Sequence, residues 1–416
     1  MSTQPDTFPP FPSGTLIGRF EILQQLADGG QAQVYLARLW LPNQKPAKQI
    51  LRHLKWFGAT PAYIEAQALC ILKIPKPRWV ENLRDEHSYL LNSNLRHTRI
   101  IQIWDRAEEG ETKRRKLPKG LWFTQLVDQH GNSIELPYIA LPYFPSGSIK
   151  DLLKKRKFKP LPPGTAVAIA LQIAQALQHM HEQAHLVHHD IAPSNVVFRN
   201  SFSFWRSSEP DCVLIDLAAA DSPYAPRLRH VYGRRIYLAP ERRATEPAPI
   251  NWPVDIYSLG VTLYEMLSGE LPRSGTISTS DFSYRLPHIQ HKLPNLSPEL
   301  ASLVMDSIEH DPNNRPNIRQ FIQRLAATPE AKQPGKLRGP WEERSRLQAA
   351  FSASIAFVIT LLLALNVSVF SSNQVLGSAN SAPTALPPTI TPIITQAPAS
   401  PTPLLPTSTP ALLKRP

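Results

Sequence analysis

Residues 186–198 read LVHHDIAPSNVVF. Apolar residues at both ends, Leu186-Val187 and Val196-Val197, enclose a polar loop that carries His188, His189, Asp190 and Asn195. The spacing from Asp190 to Asn195 lets one loop present a carboxylate and an amide oxygen together. Taken singly, a loop aspartate or asparagine is an ordinary turn former, so the neighbourhood decides. Downstream, Val213-Leu214-Ile215 is a short apolar strand that delivers Asp216 at its end. Upstream, TAVAIALQIAQALQHMHEQ (165–183) sets Val167, Ala170, Ala174, Leu177 and His181 on one face. That spacing predicts a long helix, with Thr165 able to cap it. Helical patterns continue from there to Ala327.

The part before this helix has a different period. LIGRFEILQQLADGGQAQVYLARL (16–39) alternates apolar and polar residues around Asp28-Gly29-Gly30, which predicts strand, turn and strand. A further strand is expected at 68–74, a helix near 79–95, and two strands flanking the turn at 128–132. Strands followed by helices imply an α+β chain of two lobes.

The chain has 416 residues, a net charge of +12, 43 prolines and two cysteines. Two cysteines exclude a disulfide framework or a multi-cysteine zinc site, and an apolar fraction of 42% excludes wholesale disorder. Residues 349–370 carry no ionisable side chain and, as a helix, are long enough to cross a bilayer. Residues 329–348 hold Lys332, Lys336, Arg338, Arg344 and Arg346, whereas 371–413 hold no Lys or Arg. The positive-inside rule then puts the large N-terminal part in the cytoplasm and the tail outside. The tail, 371–416, contains ten of the prolines and no aromatic residue, so it reads as an extended stalk. Asn366 within the span could bond across a pair of helices, so a homodimer is one arrangement the segment permits. No export signal is visible in the first 15 residues, which read as disordered. Basic runs at 113–119 and 154–159 lack interleaved aromatics, so no nucleic-acid partner is expected, and weak attraction to anionic lipid is the alternative to a solvated face.

Five segments in order carry a resemblance: LVHHDIAPSNVVF, VLIDLAAA (213–220), IYLAPE (236–241), DIYSLGVTLYEMLSGELP (255–272) and SPELASLVMDSIEHDPNNRP (297–316). Over residues 17–327 the chain resembles a protein kinase catalytic domain, and most of all the bacterial eukaryotic-like Ser/Thr kinases of single-pass membrane type. The resemblance implies a bilobed fold: an antiparallel sheet plus one helix in an N-lobe (16–140), and a mainly helical C-lobe (141–327). A basic juxtamembrane linker (328–348), the span and the tail follow. It implies ATP as cofactor with Mg²⁺, or Mn²⁺ in its place, and protein substrates phosphorylated on Ser or Thr in signalling. Asp190 matches the catalytic base, Asn195 and Asp216 the metal ligands, and Lys73 with Glu86 the phosphate-pairing ion pair. Lys48 and Arg52 are rivals for the place of Lys73; choosing Lys73 implies an insertion after the second strand. Ala27, Gly29, Gly30, Ala32 and Val34 match the phosphate-covering loop, and Leu141 and Tyr143 the hinge that meets adenine. Glu241 with Arg315 resembles a platform ion pair, and Asp255 a residue that bonds the catalytic-loop backbone.

The pattern departs from the family in several places. His189 replaces an arginine that normally binds an activation-loop phosphate, and 219–238 contain no threonine and one serine, Ser222. Activation by loop phosphorylation is therefore not expected. Ala192 replaces a lysine, and Arg234 stands where it could supply the missing cation near the γ-phosphate. Leu217-Ala218 replace Phe-Gly after Asp216, Ile71 replaces a small residue over adenine, and Ala27 and Ala32 replace glycines. These changes leave a second reading open, a pseudokinase that binds nucleotide or partners as a scaffold. A small-molecule phosphotransferase is a third, disfavoured by the segments at 236–241 and 255–272.

Overall fold

The structure is a computed structural model. It describes residues 8–40, 45–57, 60–104, 121–127, 133–200, 209–224, 236–243, 251–270 and 287–332. The span at 349–370, the tail, the basic run at 113–119 and Arg234 lie outside the described residues. Among the described residues no helix is long and apolar enough to cross a membrane.

Six strands form one antiparallel sheet: β1 (Leu16–Ile17), β2 (Phe20–Asp28), β3 (Ala32–Leu39), β4 (Leu69–Pro75), β5 (Leu121–Val127) and β6 (Ser133–Pro142), in the order β1-β2-β3-β4-β6-β5. β4 shows how the sequence builds it. Cys70, Leu72 and Ile74 point to one face and are fully buried with Phe20, Ile22, Tyr35 and Tyr138. Leu69, Ile71 and Lys73 point to the other. Between β3 and β4 lie two helices, α1 (Ala47–Phe57) and α2 (Pro61–Ala66), so the expected insertion has its own secondary structure. Thr60 caps α2 through its Oγ1 and the Tyr63 amide. Next comes α3 (Val80–Leu91), which packs on β6.

The expected disorder of residues 1–15 does not extend to residues 8–15. Phe8 and Phe11 pack against the sheet, Phe11 lies edge-on to Tyr35, and the Tyr35 hydroxyl accepts the Phe11 amide at 3.1 Å. Two aromatics bury enough surface to order a proline-rich segment that carries no periodic pattern.

The second lobe holds α4 (Ile149–Lys155), α5 (Pro163–His179), α6 (Pro253–Ser268), α7 (Ile289–Lys292), α8 (Pro298–Ser307), α9 (Ile318–Ala327) and α10 (Pro329–Lys332), with the short hairpin β7 (Val196–Phe198) and β8 (Cys212–Leu214). The helix expected to be capped by Thr165 begins earlier. Pro163 occupies its first turn, where a fixed φ and a missing N–H cost nothing. The predicted apolar face is as expected: Val167, Ala170, Ala174 and Leu177 are fully buried. α6 is buried nearly all round, which marks it as the central helix of the lobe. It ends at Gly269, which has φ +72 and abuts the chain segment from Phe158 to Pro160.

Gly269 tests this packing. A Cβ there would run into the Phe158 carbonyl and lie 2.9 Å from the Pro160 nitrogen, on a left-handed backbone. Gly269→Ala is expected to lower stability by about 2 kcal/mol or more. Gly30→Ala meets nothing within 4 Å and should change stability by less than about 0.5 kcal/mol. Denaturant midpoints of the two variants check both outcomes.

Candidate active site

Strand register assembles the first part of the site. Ala27 pairs with Val34, Val34 with Lys73, and Lys73 with Ile139. Directly opposed residues point to the same face, so these four side chains form one row. Leu36, Ile71 and Leu141 form the next. The turn above them is closed by the Gly29 amide, which donates to the Ala32 carbonyl at 3.0 Å. Lys76 ties it down, its amide donating to the Gln31 carbonyl at 2.8 Å and its Nζ lying 3.0 Å from Asp28. Neither Ala27 nor Ala32 has a positive φ, and nor do Gly29 and Gly30. The alanines therefore cause no backbone strain in this hairpin.

Lys73 is the centre of the arrangement. Its Nζ donates to Glu86 Oε2 and to Asp216 Oδ1, both at 2.6 Å. Glu86 is fully buried on α3 and also accepts the Leu217 amide through Oε1 at 3.2 Å. Strand, helix and the turn at Asp216 are thus joined at one ammonium. Burial opposes the charge on Lys73, but Asp216 and Glu86 outweigh it and raise its pKa. Burial raises the Glu86 carboxyl against the pull of Lys73. Burial opposes ionisation of Asp216 as well, yet the Lys73 charge and hydrogen bond hold it below its ordinary value. The rivals lie elsewhere: Lys48 and Arg52 are exposed on α1.

The second part hangs on the β7–β8 hairpin. Val196 pairs with Leu214, so Asn195 and Ile215 face each other at its end, and the Ile215 amide donates to the Asn195 carbonyl at 2.9 Å. This brings Asp216 beside the loop of Asp190. Asn195 Nδ2 donates to both the carbonyl and the carboxylate Oδ2 of Asp190, each at 2.8 Å. The loop is held from beneath by Asp255, a fully buried carboxylate. Its two oxygens accept the amides of His188 (2.8 Å) and His189 (2.9 Å), and His181 Nε2 lies 2.9 Å from Oδ2. Burial works against the charge on Asp255, and the His181 bond and neighbouring imidazoles keep its pKa low. His189 and Asp216 both adopt positive φ, +65 and +69. Such conformations persist where surrounding bonds over-determine them.

The hinge residues divide. Leu141 is buried in the cleft row. Tyr143 packs with the cluster of Leu23, Leu36, Ile50 and Leu69, and lines a cavity of about 360 Å³ together with Ile64, Glu65 and Phe144. The insertion thus packs on the Tyr143 ring next to the cleft row, since Leu36 belongs to both. Leu217 is fully buried, and Asn82 Nδ2 donates to the Ala218 carbonyl at 3.4 Å, so the Leu-Ala replacement is built into the core. Arg315 chelates Glu241 at 2.6 and 2.8 Å, donates to three carbonyls and stacks on Tyr257. Asn82 and the Asp255 partner His181 were missed as site residues. His181 had a signal, a polar side chain on an otherwise apolar helix face.

His189 is buried, and among the described residues neither ring nitrogen has a hydrogen-bond partner. Burial, with the Arg242 charge and neighbouring imidazoles, pushes its pKa down to about 4 against the pull of Asp255. At neutral pH it is uncharged and cannot do what a guanidinium does. An unfolded histidine takes up its proton near 6.5. Stability is therefore undiminished above about pH 6.5 and falls as pH drops toward about 4, by up to about 3 kcal/mol. His189→Gln should flatten this part of the stability–pH curve, measured by denaturant unfolding; an unchanged slope would contradict the assignment.

The chain matches the family described as "Protein kinase domain" over residues 66–325. It is 27% identical over 333 residues to serine/threonine-protein kinase pkn2 of Myxococcus xanthus, covering 76% of this chain and 33% of the relative. It is 28% identical over 307 residues to serine/threonine-protein kinase PknB of Mycobacterium leprae, covering 72% and 41%. It is 25% identical over 312 residues to serine/threonine-protein kinase PrkC of Bacillus subtilis, covering 72% and 38%. The chain thus spans less than half the length of these relatives. The family match begins inside the insertion, yet β1–β3 continue the same sheet. With the matched residues running through the Lys73–Glu86 pair, the Asp190 loop and the Arg315 platform, the chain belongs to the protein kinase domain family.

Proposed function

We propose that the chain is a serine/threonine protein kinase, anchored in the membrane by residues 349–370 and acting in signalling. The observation that carries the catalytic reading is the Lys73 ammonium held between Glu86 and Asp216, with Asp190 and Asn195 bonded to each other nearby. A scaffold with no phosphate to position has little physical reason to hold a buried cation between two carboxylates.

Phosphoryl transfer depends on positioning and on neutralising charge. Lys73, fixed by Glu86, presents a cation to the α- and β-phosphates. The hairpin from Ala27 to Val34, with Gly29 and Gly30 at its turn and Ala32 beyond it, covers the phosphates, while Val34 and Leu141 wall the adenine. Asp190 accepts the hydrogen bond of the substrate hydroxyl and orients it. Asn195 holds that carboxylate through its Nδ2, so its Oδ1, which also accepts the Ser194 hydroxyl at 3.2 Å, is the atom that would face a cation.

The donor set fits Mg²⁺. Among the described residues no cluster of three or more His, Cys, Asp or Glu forms a closed metal cage. Asn195 and Asp216 offer two oxygens, and Asp216 is 39% exposed. Mg²⁺ favours this kind of site, since it keeps waters and takes the remaining oxygens from phosphates. Its chemistry there is neutralisation of the charge on the phosphate oxygens.

Ala192 is fully buried where the family has a lysine. That observation favours the scaffold reading, and Arg234 is the residue proposed to compensate. Autophosphorylation with Mg²⁺-ATP, followed by phosphopeptide mapping, decides between them. Asp190→Asn should lower turnover about 10²- to 10⁴-fold with nucleotide affinity unchanged. Arg234→Lys should lower turnover too if bidentate phosphate contact matters. Wild-type chain that binds nucleotide without transferring phosphate would establish the scaffold instead.

A further inference from the structure

Residues 40–68, between β3 and β4, supply no residue to the catalytic centre described above. The helix α1, AKQILRHLKWF, contains no acidic residue. Ile50, Leu51 and Leu54 pack with Tyr63 and Ile64 of α2 onto Leu23, Leu36 and Leu69. This fixes which side of α1 looks outward. At about 100° per residue, Lys48, Arg52, Lys55 and Trp56 fall within roughly 100° of arc, opposite Ile50 and Leu54. All four are exposed, and Trp56 is 73% exposed. Among the described residues no carboxylate forms an ion pair with Lys48, Arg52 or Lys55. The outer face is therefore a stripe of three uncompensated cations with an indole beside it.

We infer that α1 is an interfacial helix that docks this domain on an anionic lipid surface. The cations meet lipid phosphates, and Trp56 sits at headgroup level, where an amphipathic ring is stable. The face is the convex outside of a single helix. Its apolar side is already used inside the fold, so docking needs no unfolding. The inference uses no residue of the phosphoryl-transfer site, and its test does not depend on turnover.

The test places an environment-sensitive dye on α1 through Gln49→Cys. Gln49 is exposed, whereas Cys70 and Cys212 are buried. Burial also pushes the Cys212 thiol up to about 12 and raises that of Cys70, so a maleimide reacts at residue 49. The full chain is reconstituted with phosphatidylcholine vesicles, with and without phosphatidylglycerol. Dye emission should shift to the blue only with the anionic lipid, and the shift should vanish in high salt. Lys48→Glu, Arg52→Glu and Lys55→Glu together should cut it about tenfold or more, and Trp56→Ser should also reduce it. Melting curves confirm that the variants remain folded. If residues 349–370 anchor the chain, they do so in both lipids, so the comparison still isolates α1. Equal emission in the two vesicle types, or a shift that survives the triple charge reversal, overturns the inference. A shift produced by polyglutamate without vesicles overturns it in favour of an acidic protein partner.

Discussion

One ammonium group joins three elements of the chain, one of them more than a hundred residues downstream of the other two. Lys73 on β4 meets Glu86 on α3 and Asp216 beyond β8 at the same short distance. A buried cation with two carboxylate partners costs several kcal/mol to strip of either one. Shifting α3 would leave Glu86 charged and unpaired in the core. Turning the segment after Asp216 would also break the bond from the Leu217 amide to Glu86. The orientation of the helix and that of the turn at Asp216 are therefore one variable, and the strand that carries Lys73 is the fixed reference for both.

A second carboxylate does the same for the catalytic loop. Asp255 is spent on the amides of His188 and His189 and on the ring of His181. A loop held at its backbone does not depend on its side chains for shape. This is why an uncharged histidine can replace an arginine at position 189 while Asp190 still reaches Asn195. The cost falls on the ring of His189, which is buried with no hydrogen-bond partner among the described residues.

Much of this was legible in the sequence because it rests on local pattern. Lys73 could be chosen over Lys48 and Arg52 because it lies in a clean apolar strand followed closely by a helix. Asp216 was visible at a strand end, and the pairing of Glu241 with Arg315 followed from ordered motifs. What was not legible depends on contacts remote in the chain. Tyr143 turns toward the insertion because α1 and α2 come to rest beside it, and nothing near residue 143 encodes that. Phe8 and Phe11 are ordered by Tyr35, which follows a turn more than twenty residues away. Asn82 reads as an ordinary helix residue until Ala218 arrives opposite it. The start of α5 was misread because a threonine cap and a first-turn proline are both good signals, and the proline comes first.

The hairpin proposed to cover the phosphates would have a consequence for nucleotide exchange. A glycine at positions 27 and 32 would let the backbone wander before a ligand arrives, and that freedom would be lost on closure. Alanine at both positions, with Lys76 holding the turn, narrows the ensemble in advance. On the proposed reading, closure would then lose less conformational entropy, and a triphosphate would be held by a cover already close to its final shape. The same stiffness would make excursions to an open cover rarer and slow the departure of the spent nucleotide.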